Sequence, residues 1–295
     1  MTGQRKITEI TVTWFCWLSG LLLLAALVIL VGYLIRRGGP VLGLSLLFGD
    51  TPPLDALLLR KHVFDGLYPA LAGTLLLVIG AMVLAIPLGI ASGIYMAEYA
   101  GGRTKAVFSL LFDILAGIPS IVVGLAGLSI TIFLHRIFGE RIMPCLLISC
   151  LALAYLVLPY LIRTTQVALE SIDPVIRKTA PALGASRLQN IGHVLLPHSL
   201  PAIIGGIILA TGRCAEDTAV IMLTGAVASA GIPRSLLDQY EALPFYIYYI
   251  SAQYTSPDEL ATGFGAALLL LLLCSALLVL ALVLQRRLTI FLLYR

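Results

Sequence analysis

The chain has 295 residues, 60% of them hydrophobic and only 12% charged, with a net charge of +4. A soluble domain carries about 25% charged residues, so this composition excludes a water-soluble globule and sets most of the chain against lipid or other helices. Lys and Arg are scattered between apolar runs and not gathered on one face, which excludes a nucleic-acid binder.

A membrane-spanning helix needs about 20 mainly apolar residues. Six stretches qualify: about 12–35, 67–97, 106–134, 143–170, 201–226 and 262–285. The first is too long for a signal peptide and lacks a small-residue cleavage site, so it reads as a retained helix. Pro87, Gly89, Gly117, Pro119 and Pro159 would break soluble helices; in a bundle, neighbouring helices satisfy the freed backbone groups. The expected fold class is therefore an all-α integral membrane protein with six transmembrane helices.

Six spans put both termini on one side. With the N-terminus inside, Arg5, Lys6, Arg103, Lys105, Arg177, Lys178, Arg187, Arg286, Arg287 and Arg295 lie inside. Arg36, Arg37, Arg60, Lys61, Arg136, Arg141 and Arg234 lie outside. The bias is positive-inside but weak, and Arg36-Arg37 runs against it. Two outer segments remain, 38–66 and 227–261. The second carries Tyr240, Tyr246, Tyr248, Tyr249 and Tyr254, a density that suits the membrane interface.

The five cysteines all lie in apolar segments, odd in number and without zinc or disulfide spacing, so they read as small buried hydrophobes. His62, His135, His193 and His198 are too dispersed for a metal site.

Two arginines stand apart from the rest. Arg163 precedes Asp173-Pro174, where the fourth span should leave the membrane, and Arg213 follows Pro201, where the fifth should enter. Counted from those points they lie about 15 Å and 18 Å deep. A charge at that depth costs several kcal/mol and usually faces a cavity or a partner. Arginine stays charged and offers a fork of donors that fits oxyanions, so two at one depth suit a small dianion. Thr164 beside Arg163 either adds a hydroxyl donor or bonds back to its own helix. Glu216 and Asp217 follow Arg213 at i+3 and i+4, so the alternative reading is an intrahelical ion pair that holds Arg213 and is compatible with an anion role. Asp113 also falls inside a span, either as an arginine's partner or near the interface.

The loop between these spans is polar and basic: Lys178-Thr179-Ala180-Pro181-Ala182-Leu183-Gly184, then Val194-Leu195-Leu196-Pro197. The spacing from Ala180 to Gly184, and from Gly184 to Val194 and Leu196-Pro197, resembles the "EAA" loop of ABC importer permeases. The resemblance narrows to the phosphate-specific branch, most like its PstA subunits. It rests on Gly66-Leu67-Tyr68-Pro69-Ala70, Gly73-Thr74-Leu75, Pro87-Leu88-Gly89-Ile90-Ala91, Ile94-Tyr95-Met96-Ala97-Glu98-Tyr99, Gly117-Ile118-Pro119-Ser120-Ile121, Ile162-Arg163-Thr164-Thr165 and Arg213 with Asp217-Thr218-Ala219.

That resemblance implies a type I ABC importer permease fold and import of inorganic phosphate across a bacterial or archaeal cytoplasmic membrane, with cytoplasmic termini. It divides the chain into an N-terminal helix and outer loop (1–65), a permease domain (66–287, docking loop about 171–200) and a tail (288–295). Arg163, Arg213, Glu216, Asp217 and Thr164 would serve translocation. Lys178, Ala180, Gly184, Val194, Leu196 and Pro197 would dock an ATPase, although Lys178 and Thr179 replace the family's Glu and Ala, and Pro181 is unexpected in a docking helix. Each lysine is preceded by Arg5, Arg60, Thr104 or Arg177, never Gly, so there is no P-loop. ATP would be hydrolysed by a partner and no cofactor bound here. The implied partners are a PstC-like permease, a PstB-like ATPase dimer and a PstS-like external phosphate-binding protein. The competing readings are a permease for sulfate, molybdate or a phosphonate, and an ion-coupled secondary transporter; the latter usually shows inverted repeats, which this chain lacks.

Overall fold

The structure, a computed structural model, describes residues 2–49, 51–54, 66–139 and 143–293. Arg60, Lys61, His62 and Arg141, placed outside by the sequence reading, fall beyond the described residues. Six described helices are long and apolar enough to cross a membrane: Thr8–Val41, Tyr68–Tyr99, Ser120–Phe138, Leu146–Glu170, Arg187–Glu216 and Pro257–Arg287. The elements run α1 (Thr2–Gly38), α2 (Leu44–Phe48), α3 (Tyr68–Ile94), α4 (Gly102–Ala116), α5 (Ser120–Phe138), α6 (Leu146–Glu170), α7 (Pro174–Ala182), α8 (Arg187–Asn190), α9 (Leu196–Glu216), α10 (Ala219–Thr224), α11 (Leu243–Gln253) and α12 (Pro257–Leu293).

The centre of the bundle is the pair α3 and α6. In a bilayer, association rests on close packing and not on escape from water, so small residues mark the contacts. A Cβ on Gly89 would fall 2.5 Å from Leu161 Cβ, one on Gly93 2.5 Å from Thr165 Cβ, and one on Gly80 2.6 Å from Cys150 Sγ. The cysteine reading agrees here: Cys145, Cys150 and Cys214 are buried, although Cys16 is exposed. Around this pair, Leu77, Val78, Leu153, Val157, Cys214 and Ile221 form one apolar core. Pro87 and Pro159 sit inside α3 and α6, which continue through them.

Two spans differ from the sequence reading. The expected span 106–134 is two helices. Pro119 has φ −58° and ψ 138° and disfavours helix at Ile118 before it. The chain therefore breaks at Gly117-Ile118-Pro119, and only α5 crosses. The fifth span starts earlier than Pro201: α8 runs through a π-turn at Ile191–Leu195 into α9, which keeps Pro201 inside it. It ends at Glu216, with Asp217 extended (ψ 116°) before α10.

The segment between α10 and α11 folds over the ends of α3 and α6. Leu146 N donates to Asp238 O, Val227 N to Tyr240 O and Cys145 N to Thr224 O, and Leu243 N donates to the buried Thr74 hydroxyl. Tyr240 is therefore a fully buried core residue and not an interfacial one, whereas Tyr248 and Tyr254 are half exposed. α1 meets the bundle near its C-terminal end, where Gly38 lies against the Phe264 backbone and Tyr33 packs edge-on to the Phe264 ring. Its remaining apolar surface is open, as suits lipid or another membrane subunit.

Gly93→Ala should lower the stability of the detergent-solubilised protein by about 1–3 kcal/mol, the usual cost of overpacking. Gly212→Ala, with open space at its Cβ, should be neutral. Thermal denaturation of both variants checks the pair; equal midpoints would remove the tight α3–α6 contact.

Candidate functional site

With one face of α6 turned to α3, the opposite stripe is open. Tyr160, Arg163, Val167 and Glu170 are all exposed along it. Helical spacing of three and four residues puts them in one row. The row is met by α4, whose break at Gly117 lets it lie along the inner end of α6.

A polar ladder joins the two helices. Lys105 Nζ stands 2.7 Å from Glu170 Oε1, and Gln166 Nε2 donates to the same oxygen at 2.9 Å. Arg163 Nη1 donates to Gln166 Oε1 at 3.3 Å and to Ser109 Oγ at 3.5 Å. Arg163 Nη2 lies 3.7 Å from Asp113 Oδ2. Of the two placements left open for Asp113, the arginine's partner is the one found. The sequence reading missed Gln166, Ser109 and Glu170 here. Spacing could have found two of them: Gln166 and Glu170 follow Arg163 at i+3 and i+7 on the same face.

Arg213 has no ion pair among the described residues. Its guanidinium lies 5.6 Å from the centre of the Tyr160 ring, a cation–π contact, and its buried Nε has no hydrogen-bond partner. The alternative pairing with Glu216 or Asp217 is not formed: α9 ends at Glu216, so no i+4 helical geometry reaches Asp217. Asp217 Oδ1 instead accepts from Val220 N at 2.9 Å and caps α10, while Glu216 is exposed. Thr164 donates to Tyr160 O and Leu161 O, and its side chain fills the space against Gly206.

That contact also sets the register of α6 against α9, and it corrects the matching depths. Gly206 is level with Thr164, and Arg213 is about two turns further out, roughly 10 Å at 1.5 Å per residue. The two arginines therefore stand at different levels of the bundle, with Tyr160 between them.

Between α6 and α9, α7 and α8 form the helix pair expected of the 178–197 loop. Asp173 caps α7 by accepting from Val175 N, and Ser186 with Gln189 closes a capping box on α8. Gly184 turns the chain between them at φ +87°. Ala180, Leu183, Gly184, Gln189, His193 and Val194 line a shallow cup of about 440 Å³. Val175, Leu183 and Leu188 project, 73–85% exposed. Lys178 is exposed, whereas Leu196 and Pro197 are half-buried at the start of α9. At the other end of the bundle, burial pushes the Glu241 carboxyl above its ordinary value, opposed by the Gly231 amide that donates to it at 2.7 Å.

Six spans, an inner helix pair with a glycine elbow and charges along the inner half of one helix define a permease of the type I ABC importer fold. A family described as the binding-protein-dependent transport system inner membrane component matches residues 85–290, and the chain belongs to it. Over 281 residues it is 31% identical to the phosphate transport system permease protein PstA 1 of Mycobacterium tuberculosis (strain CDC 1551 / Oshkosh), covering 92% of this chain and 86% of that one. It is 28% identical over 287 residues to the probable ABC transporter permease protein YqgI of Bacillus subtilis (strain 168), covering 91% and 92%. Among solved structures, a bacterial alginate ABC transporter in complex with a pentasaccharide-bound periplasmic protein matches with TM-score 0.60 at 18% identity, covering 96% of this chain and 97% of that one. An inward-facing MetNI methionine ABC transporter matches with TM-score 0.55 at 19% identity, covering 81% and 100%. These two establish the shared fold.

Gln166 is 3% exposed and is shared by Arg163 and Glu170. Gln166→Leu leaves both charged groups short of a partner, at an expected cost of about 1–3 kcal/mol. A thermal midpoint equal to wild type in the purified protein would strip the ladder of its structural role.

Proposed function

We infer that this chain is a permease subunit of an ATP-driven, binding-protein-dependent importer, and that its cargo is inorganic phosphate. The observation that carries the substrate is the full-length similarity to phosphate permeases, joined to an arginine on the open face of a membrane-spanning helix. Charges there face a path or a partner, not lipid. Arg163 is held loosely: its carboxylate stands at 3.7 Å, longer than a charge-assisted hydrogen bond of about 2.8 Å. A doubly charged oxyanion can accept two parallel bonds from the guanidinium and displace Asp113.

The offset of the two arginines makes them successive stations. Entering phosphate meets Arg213, whose Nε is unpartnered, passes Tyr160, and then reaches Arg163. Lys105 extends the positive line towards the inner side. Glu216 and Asp217 shape the entrance by repulsion and by capping α10, and do not hold Arg213. Thr164 contributes through the α6–α9 contact.

The chain binds no cofactor and hydrolyses no ATP in this reading, since its sequence has no Gly-Lys-Ser/Thr loop. An ABC ATPase dimer (PstB-like) docks on the α7–α8 cup, a second permease (PstC-like) covers the open face of α6, and a phosphate-binding protein (PstS-like) delivers cargo outside. Both termini are then cytoplasmic.

Arg163→Gln should reduce phosphate uptake to background while the subunit still co-purifies with its ATPase; uptake at the wild-type rate would sink the anion-station reading. Gly184→Val, which forces a β-branched residue into the left-handed region at a cost of about 1–2 kcal/mol, should weaken ATPase co-purification. Undiminished recovery of the ATPase would place docking elsewhere.

A further inference from the structure

The docking helices are tied to a third element that the translocation path does not use. Arg177, in α7, donates through Nη1 to Glu98 Oε1 in the π-helical turn Tyr95–Tyr99 that continues α3, and through Nη2 to Leu169 O at the end of α6. Its own carbonyl accepts from the buried Asn190 Nδ2 in α8 at 3.0 Å. That carbonyl is free because Pro181, four residues on, has no N–H to offer it. The pair is largely shielded, with Glu98 side chain 14% and Arg177 26% exposed. One residue thus joins the ends of four helical segments.

A charged pair shielded to this degree is costly to break from one side, because the surviving charge stays uncompensated. Beneath it, Leu169, Ile191 and Leu195 pack with Ile94 and Ala97, so α8 and the π-turn cannot slide independently of α3 and α6. Glu98 is too enclosed to serve as an ATPase contact, whereas Leu183 and Leu188 stand free for that purpose. The exposed part of the loop and its anchored part are therefore distinct.

We propose that the Arg177–Glu98 pair is the clasp that passes ATPase-driven movement of the docking helices to the rigid α3–α6 unit, making both residues positioning residues for coupling. A push on α7 reaches α3 through Glu98 and α6 through Leu169 in one step. Because α6 carries Arg163, the anion station moves with it.

The test uses the whole importer complex reconstituted in liposomes, with inorganic phosphate as cargo and phosphate imported per ATP hydrolysed as the readout. The wild-type ratio, measured first, tests the importer reading by itself. Glu98→Gln should lower the ratio about tenfold, within the usual range for coupling between sites, while the ATPase still co-purifies. The charge-exchanged pair Glu98→Lys with Arg177→Glu should recover part of it. A wild-type ratio in Glu98→Gln overturns the proposal. So does a Glu98→Gln complex that fails to assemble, if the exchanged pair either assembles with no gain over it or restores assembly with a ratio still at the uncoupled level.

Discussion

Backbone contact between α3 and α6 governs the rest of the structure. At Gly89 and Gly93 the two helices come so near that no side chain fits between them. In lipid there is no water to drive apolar surfaces together, so this contact is earned by dispersion over a dry seam. It commits one face of α6 to packing and leaves the opposite face for polar work. It also makes the two helices one body, because a seam with no rotamer freedom transmits displacement without slack.

The charges follow from that commitment. Arg163 points away from the seam, where lipid would impose a cost of several kcal/mol. The break at Gly117-Ile118-Pro119 answers this by laying α4 along the inner half of α6, and α4 supplies Ser109, Asp113 and Lys105. The result is a network in which Arg163 is satisfied but not saturated. A tight bidentate carboxylate would trap it, and a bare arginine would not fold into this position. The 3.7 Å contact to Asp113 lies between those limits.

Much of this was legible before the structure. The six spans follow from hydropathy because their apolar runs are long, and the α7–α8 helix pair follows from Gly184 and its spacing to Val194, Leu196 and Pro197. The failures have specific causes. An apolar run does not reveal a kink, so the α4–α5 break hid inside the span 106–134; Pro119 was the signal that outweighed hydropathy. Depths counted from Pro201 assumed that a proline starts a helix, whereas here the helix begins upstream and accommodates it. The Arg213 pairing assumed that helix geometry persists to Asp217, one residue past its end. Tyr240 went to the interface on composition, although the outer segment folds inward and buries it. Arg177–Glu98 escaped altogether, since residues so far apart in sequence meet only through the fold.

Pro181 shows how a local departure from a family pattern can be absorbed. A proline in the last turn of α7 removes one N–H and orphans the Arg177 carbonyl. Asn190 supplies the missing donor from α8, while Ala185 N closes the turn on Ala180 O. The defect in one docking helix becomes the bond that fastens it to the other. The helix pair therefore keeps its shape with Lys178 and Thr179 at its exposed positions, because its geometry rests on Arg177, Asn190 and Gly184 beneath them. A loop held in this way is a preformed surface, and a preformed surface carries no entropy cost of ordering on contact.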